Sequence, residues 1–152
     1  MVKTITNVSK LKDTDYFETP KKEFLDACYF FGVMPTLDVC ATSQNTKCHE
    51  YFSCGALEKD WNQYSDTVAY MNPPYSQSKA WVKYAYMQHV KHNMTILALL
   101  QSHTGNSYFH NYIVEKAEIL FWRGRIRFLQ DGVVPKDPPK FDSMFVLWRK
   151  KI

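Results

Sequence analysis

Thr67-Val68-Ala69-Tyr70-Met71 has the apolar, β-branched and aromatic content of a buried strand, and Asn72-Pro73-Pro74-Tyr75 stops it at once. Two consecutive prolines cannot donate to a ladder or sit inside a helix, so they fix an extended, rigid turn. Beyond that turn the spacing of Trp81, Val82, Ala85, Tyr86 and Val90 predicts a helix over 78–92, followed by a strand over 94–100. Strand, rigid turn, helix and strand make the unit from which parallel sheets are assembled. That unit dictates what the rest of the chain must supply.

Upstream, Thr19 as N-cap and Pro20 at the first helical position predict a helix carrying Phe24, Leu25, Cys28 and Phe31, with Gly32 as its stop. Residues 36–40 predict a strand with a carboxylate inside it, Tyr51-Phe52 a brief strand, and 57–61 a turn of helix. Downstream, a helix is expected over 107–114, then strands over 119–122 and 126–128, a loop over 131–142 and a closing strand over 144–148. The alternation argues an α/β fold with helices on both faces of a mostly parallel sheet, and an antiparallel edge at the C-terminal end. We expect a polar segment over 1–14 and one compact domain over 15–152, with no repeat and no separate target-recognition domain. In open sheets of this kind ligands bind beyond the carboxyl ends of the strands, here Asp38–Ala41 and Asn72–Tyr75.

Composition narrows the function. A chain of 152 residues buries roughly 68–70% of its unfolded surface and needs no staple. A hydrophobic fraction of 45% excludes a disordered chain, and ten Tyr, ten Phe and four Trp leave aromatics to spare for a binding face. The net charge of +4 is compatible with a polyanionic partner. No apolar run approaches the ~20 residues needed to span a bilayer, and the N-terminus lacks the apolar stretch of a signal peptide, so the expected compartment is the cytoplasm. Cysteines at 28, 40, 48 and 54 include no Cys-x-x-Cys pair; buried reduced thiols are expected, and no metal. Dinucleotide, P-loop and nucleophile-elbow motifs are absent.

The rigid turn therefore carries the chemistry. It would hold the Asn72 amide and the Pro73 carbonyl in one arrangement, with the Tyr75 ring beside them. Two converging acceptors next to an aromatic face suit a planar amine such as the exocyclic NH2 of a nucleobase. Such a nitrogen is a poor nucleophile because its lone pair is delocalised into the ring. Accepting both N–H groups draws it toward tetrahedral geometry, so positioning replaces a strong base. The other proline pair, in Asp137-Pro138-Pro139-Lys140, lies in a polar loop with Lys where an aromatic is needed.

In order, these segments resemble the phage-type DNA N6-adenine methyltransferases, which use S-adenosylmethionine. The resemblance runs from about Asp15 to Trp148. Asp15-Tyr16-Phe17-Glu18-Thr19-Pro20 is similar to the family's first motif, and Leu37-Asp38-Val39-Cys40-Ala41 to its cofactor strand. Leu57-Glu58-Lys59-Asp60-Trp61 resembles its Leu-x-x-Asp-Trp element, Met71–Ser76 its catalytic loop, and Gly124-Arg125-Ile126-Arg127-Phe128 a late motif. The resemblance implies a Rossmann-like class I methyltransferase fold, with Asn72, Pro73, Pro74 and Tyr75 as catalytic residues and Tyr75 stacking on a flipped adenine. It implies a cofactor site of Tyr16, Thr19, Pro20, Asp38, Cys40, Ala41, Asp60 and Trp61, with Asp38 near the ammonium and Asp60 and Trp61 at the adenosine end.

Arg123, Arg125 and Arg127 alternate with Gly124, Ile126 and Phe128, so a strand there would present three cations on one face. Lys136 and Lys140 extend that face toward a DNA backbone. The implied substrate is DNA, the implied state a monomer or homodimer, and the implied location the host cytoplasm if the chain is phage-encoded. Three alternatives stay open: an RNA adenine methyltransferase, a protein glutamine methyltransferase, and an inactive nucleic-acid-binding subunit of the same fold.

Overall fold

The computed structural model describes residues 13–152. Of the polar segment expected over 1–14, residues 1–12 lie outside the described residues. In chain order the elements are α1 (Lys21–Phe31), β1 (Leu37–Asp38), β2 (Glu50–Tyr51), β3 (Val68–Met71), α2 (Ser78–His92), β4 (Thr95–Gln101), α3 (Ser107–Tyr112), β5 (Glu118–Phe121) and β6 (Ser143–Trp148). Three-residue or four-residue 3-10 turns stand at Asp13–Tyr16, Ala56–Glu58 and Tyr75–Gln77. Among the described residues no helix is long and apolar enough to cross a membrane.

Six strands form one sheet in the order β2-β1-β3-β4-β6-β5. The first four are parallel, and β6 runs antiparallel to both β4 and β5, one place in from the edge. Side-chain alternation builds two cores. Ile96, Ala98 and Leu100 of β4 join Met144, Val146 and Trp148 of β6 under Trp81, Val82 and Ala85 of α2 and Phe109 of α3. Leu97, Leu99, Phe145 and Leu147 face the other way, onto Phe24, Ala27, Cys28 and Phe31 of α1. Both faces are covered, which explains why these strands are continuously apolar in sequence.

The chain departs from the sequence expectations at two places that matter for the site. Thr19 does not cap α1: Pro20 holds the N-cap position at φ −61°, ψ 141°, and the helix begins at Lys21. The Thr19 hydroxyl is engaged instead with the Tyr70 hydroxyl, 2.6 Å away in the core. Gly32 does end the helix, in the left-handed region at φ +66°. The second departure is at 126–128, which forms no strand. Gly124, at φ +78°, turns the chain off the sheet, and the following segment makes isolated bridges in place of a ladder, Leu129 with Glu18 and Gln130 with Val133. Ile126 and Phe128 still bury while Arg125 and Arg127 stay exposed, so the alternation survives without the ladder.

Candidate active site

β1 and β3 are parallel neighbours, with Leu37 opposite Ala69 and Asp38 opposite Tyr70. From β1 the chain moves outward to β2, and from β3 outward on the other side to β4. The crevice between β1 and β3 is therefore the point where strand order reverses, the usual ligand position in such sheets. Asp38 and Asn72 stand at its lip.

Asn72 leaves the end of β3 and is 4% exposed. Its Nδ2 donates to the Phe17 carbonyl at 3.1 Å. A carbonyl only accepts, so the amide nitrogen must face Phe17 and Oδ1 must face away. Oδ1 is buried and has no hydrogen-bond partner among the described residues. Leaving a buried acceptor unmade costs about 1–3 kcal/mol, which marks the atom as one held ready for a donor. Beyond the two prolines, the Gln77 N–H donates to the Pro74 carbonyl and the Ser78 hydroxyl to the Tyr75 carbonyl, both at 2.9 Å, so the loop runs directly into α2.

The Tyr75 ring is enclosed in this structure. It meets Phe128 at 6.0 Å and Phe141 at 5.5 Å, edge-on to each, while Phe17 stacks on Phe128 at 5.2 Å. Burial pushes the Tyr75 hydroxyl well above the usual tyrosine range, with a smaller contribution from Tyr108.

Asp38 is 3% exposed and uses both oxygens on the segment that follows it: Oδ1 accepts the Cys40 N–H at 3.2 Å and Oδ2 the Lys47 N–H at 3.0 Å. It thereby folds residues 40–47 back over the crevice. The resulting cleft is lined by Glu18, Thr19, Asp38, Cys40, Asn45, Lys47, Tyr70 and Asn72, and its free volume is about 10 Å3, room for one water. The Lys47 ammonium donates to the Asn45 carbonyl at 2.9 Å. Burial pulls its pKa below the lysine range, against the opposing pull of Asp38 and Glu18. Two carboxylates and one ammonium around a narrow cleft suit a zwitterionic group such as the α-amino-acid end of a ligand.

The structure thus brings Asn72, Asp38, Thr19 and Cys40 together at one cleft, with Glu18 and Lys47, which the sequence reading did not single out. Tyr16 ends the Asp13–Tyr16 turn and Pro20 is the N-cap of α1; neither lines the cleft. Ala41 is 1% exposed, its N–H bound to the Phe52 carbonyl. Asp60 and Trp61 are not brought to the cleft. Trp61 is fully buried against Trp81 and Tyr84, and its indole N–H donates to the Ala56 carbonyl at 2.9 Å. Asp60 is exposed and pairs with His92 at 3.1 Å and Lys91 at 3.3 Å, contacts that lower its pKa, His92 foremost.

Arg123, Arg125, Arg127 and Lys136 are all exposed. Arg125 donates to the Pro139 carbonyl at 3.2 Å and lies 3.7 Å from Asp142, and Arg127 donates to the Pro135 carbonyl at 3.1 Å. These arginines brace the 131–142 loop. The four cysteines are free thiols, and among the described residues no three His, Cys, Asp or Glu side chains converge as a metal site.

A family model described as DNA N-6-adenine-methyltransferase (Dam) matches residues 6–152. The DNA N-6-adenine-methyltransferase of Haemophilus phage HP1 is 31% identical over 147 residues, covering 94% of this chain and 83% of the phage protein. No solved structure gives a significant match. With nearly its whole length matched, the chain belongs to the DNA N-6-adenine-methyltransferase (Dam) family.

Proposed function

We propose that this protein transfers a methyl group from S-adenosylmethionine to the N6 amino group of adenine in DNA, and that its sheet is a Rossmann-like class I methyltransferase core. The observation that carries the reading is the buried, unpartnered Oδ1 of Asn72, oriented by the Phe17 carbonyl at the strand-order reversal. Asn72 Oδ1 accepts one hydrogen of the exocyclic amine and the Pro73 carbonyl accepts the other. Both acceptors are set before the substrate arrives, so little reorganisation remains for the reaction itself. Tyr75 supplies the stacking face for an extruded base, and Phe141, half-buried against its edge, is the ring that moves aside.

The donor set of the cleft fits the cofactor's methionine end: Asp38 and Glu18 for the ammonium, Lys47 for the carboxylate. When bound there, S-adenosylmethionine supplies an electrophilic methyl on a sulfonium. At about 10 Å3 the cleft is too narrow to take that end as it stands, and the segment 40–49, which contains no helix or strand, is the part that moves to widen it. Cys40 and Thr19 then border the same end. Arg123, Arg125, Arg127 and Lys136 form the cationic track for the DNA backbone.

The test offers tritiated S-adenosylmethionine to DNA, to RNA and to a glutamine-bearing release-factor-like protein. Label recovered as N6-methyladenine in DNA supports the reading, whereas label in RNA or protein alone rejects it. Undetectable cofactor binding by calorimetry, with DNA binding intact, assigns the inactive-subunit alternative.

A further inference from the structure

Hydrogen bonds tie residues 15–18 to the rest of the molecule at Asp15, Phe17 and Glu18, and those of Asp15 and Phe17 bracket the catalytic loop. Asp15 is fully buried, and its two oxygens accept the Ser76 backbone N–H at 2.8 Å and the Ser76 hydroxyl at 2.6 Å. The Phe17 carbonyl accepts the Asn72 amide. Glu18 and Leu129 exchange backbone hydrogen bonds of 2.8 and 2.9 Å. Pro73, Pro74 and Tyr75 are thus held at both ends by a segment more than fifty residues earlier in the chain.

Burying a carboxylate is costly unless it is matched by donors. Here two charge-assisted bonds go to the residue just past the loop. The prolines make the loop stiff but do not say where it sits. Fixing Ser76 at one end and the Asn72 amide at the other sets the position of the whole tetrapeptide, and with it the direction of Oδ1. We infer that Asp15 is a positioning residue for methyl transfer, which acts through Ser76 to hold the Asn72 and Pro73 acceptors in their reactive arrangement. The inference rests on the functional reading above.

Displacement of a reacting group by about 1 Å costs up to 10²-fold in rate. Asp15→Ala is therefore expected to lower kcat by about 10- to 100-fold, with KM for DNA and cofactor within about threefold of the wild type. Asp15→Asn keeps one acceptor for the Ser76 N–H and gains a donor for its hydroxyl, and should restore most of that kcat. Ser76→Ala removes one bond at an exposed side chain and should lower kcat less. The double variant Asp15→Ala, Ser76→Ala should be no slower than Asp15→Ala alone.

A second readout does not need activity. In 15N-edited spectra the Asn72 side-chain amide of the wild type should be protected from solvent exchange, and Asp15→Ala should remove that protection. A folded Asp15→Ala or Ser76→Ala with wild-type kcat overturns the inference, as does a loss confined to cofactor KM or an Asn72 amide unchanged in Asp15→Ala. Should Asp15→Ala fail to fold, Ser76→Ala decides. A wild-type protein that leaves adenine in DNA unmethylated overturns the functional reading, while the amide protection still tests the clamp.

Discussion

Asn72→Ala separates the two roles of one side chain. The substitution removes the Nδ2 bond to the Phe17 carbonyl and leaves that carbonyl unsatisfied, which costs about 1–3 kcal/mol. It also removes the orphaned Oδ1, returning a burial penalty of about the same size. The two largely cancel, so the net change in stability should lie within about 1 kcal/mol. For a chain of this length that moves Tm by roughly 2–4 °C. The rate behaves differently. Loss of one preorganised hydrogen-bond partner costs about 10²–10³-fold in kcat, or about 2.7–4 kcal/mol of barrier. Thermal melts and single-turnover methylation of an adenine-containing duplex, run on the same preparation, measure both quantities. A kcat within about tenfold of the wild type would refute the acceptor role. A drop in Tm of more than about 10 °C would refute the claim that Oδ1 is unpartnered.

Trp61→Ala should destabilise the protein by about 3–5 kcal/mol, since a fully buried indole and its bond to Ala56 are lost. Cofactor affinity per folded molecule, read by calorimetry below the melting range, should stay unchanged; a specific loss would bring Trp61 into the binding site. Arg125→Ala with Arg127→Ala should flatten the log–log salt dependence of DNA binding by about 0.7–0.9 for each phosphate contact removed, and an unaltered slope would move the DNA track elsewhere. Burial pushes the Cys28 thiol up to about 11 and the Cys48 thiol up to about 12, so both hold their protons at pH 8. Iodoacetamide should then modify exposed Cys54 alone until the protein unfolds. Because the folded thiols have raised pKa values, their stabilising contribution is complete below pH ~9 and is lost as pH climbs toward 11 and 12. Urea melts of the wild type beside Cys28→Ala, Cys48→Ala should show a steeper decline over pH ~9–11 in the wild type, on top of the loss both share from the buried tyrosines Tyr70 and Tyr75.

Sequence pattern reaches some parts of this protein and not others. α2 spans Ser78–His92 as the spacing of Trp81, Val82 and Ala85 predicts, because one face of a helix must be apolar wherever it packs. The crevice also follows from pattern, since strand ends at Asp38 and Met71 locate the carboxyl edge of a parallel sheet. Thr19 shows where local rules give way: a threonine before proline reads as a cap, yet Tyr70, 51 residues away, takes its hydroxyl. The Phe17 carbonyl is invisible to any reading of side chains, because a backbone acceptor has no residue identity. Lys47 was unremarkable in a polar stretch until the bond from its N–H to Asp38 folded it over the cleft. Ile126 and Phe128 alternate as strand residues do, but Gly124 had already turned the chain away.

The place of β6 between β4 and β5 bears on how the protein assembles during synthesis. β4 and β5 leave the ribosome earlier, but each hydrogen-bonds to β6 and not to the other. At a translation rate of about 5–20 residues per second, the chain between Phe121 and Ser143 takes seconds to emerge. Through that interval β4 exposes Ile96 through Leu100 along an unpaired edge, and β5 has no ladder to join. Closure of the sheet thus waits on β6, and until that strand arrives β4 presents a sticky apolar edge of the kind that chaperones bind.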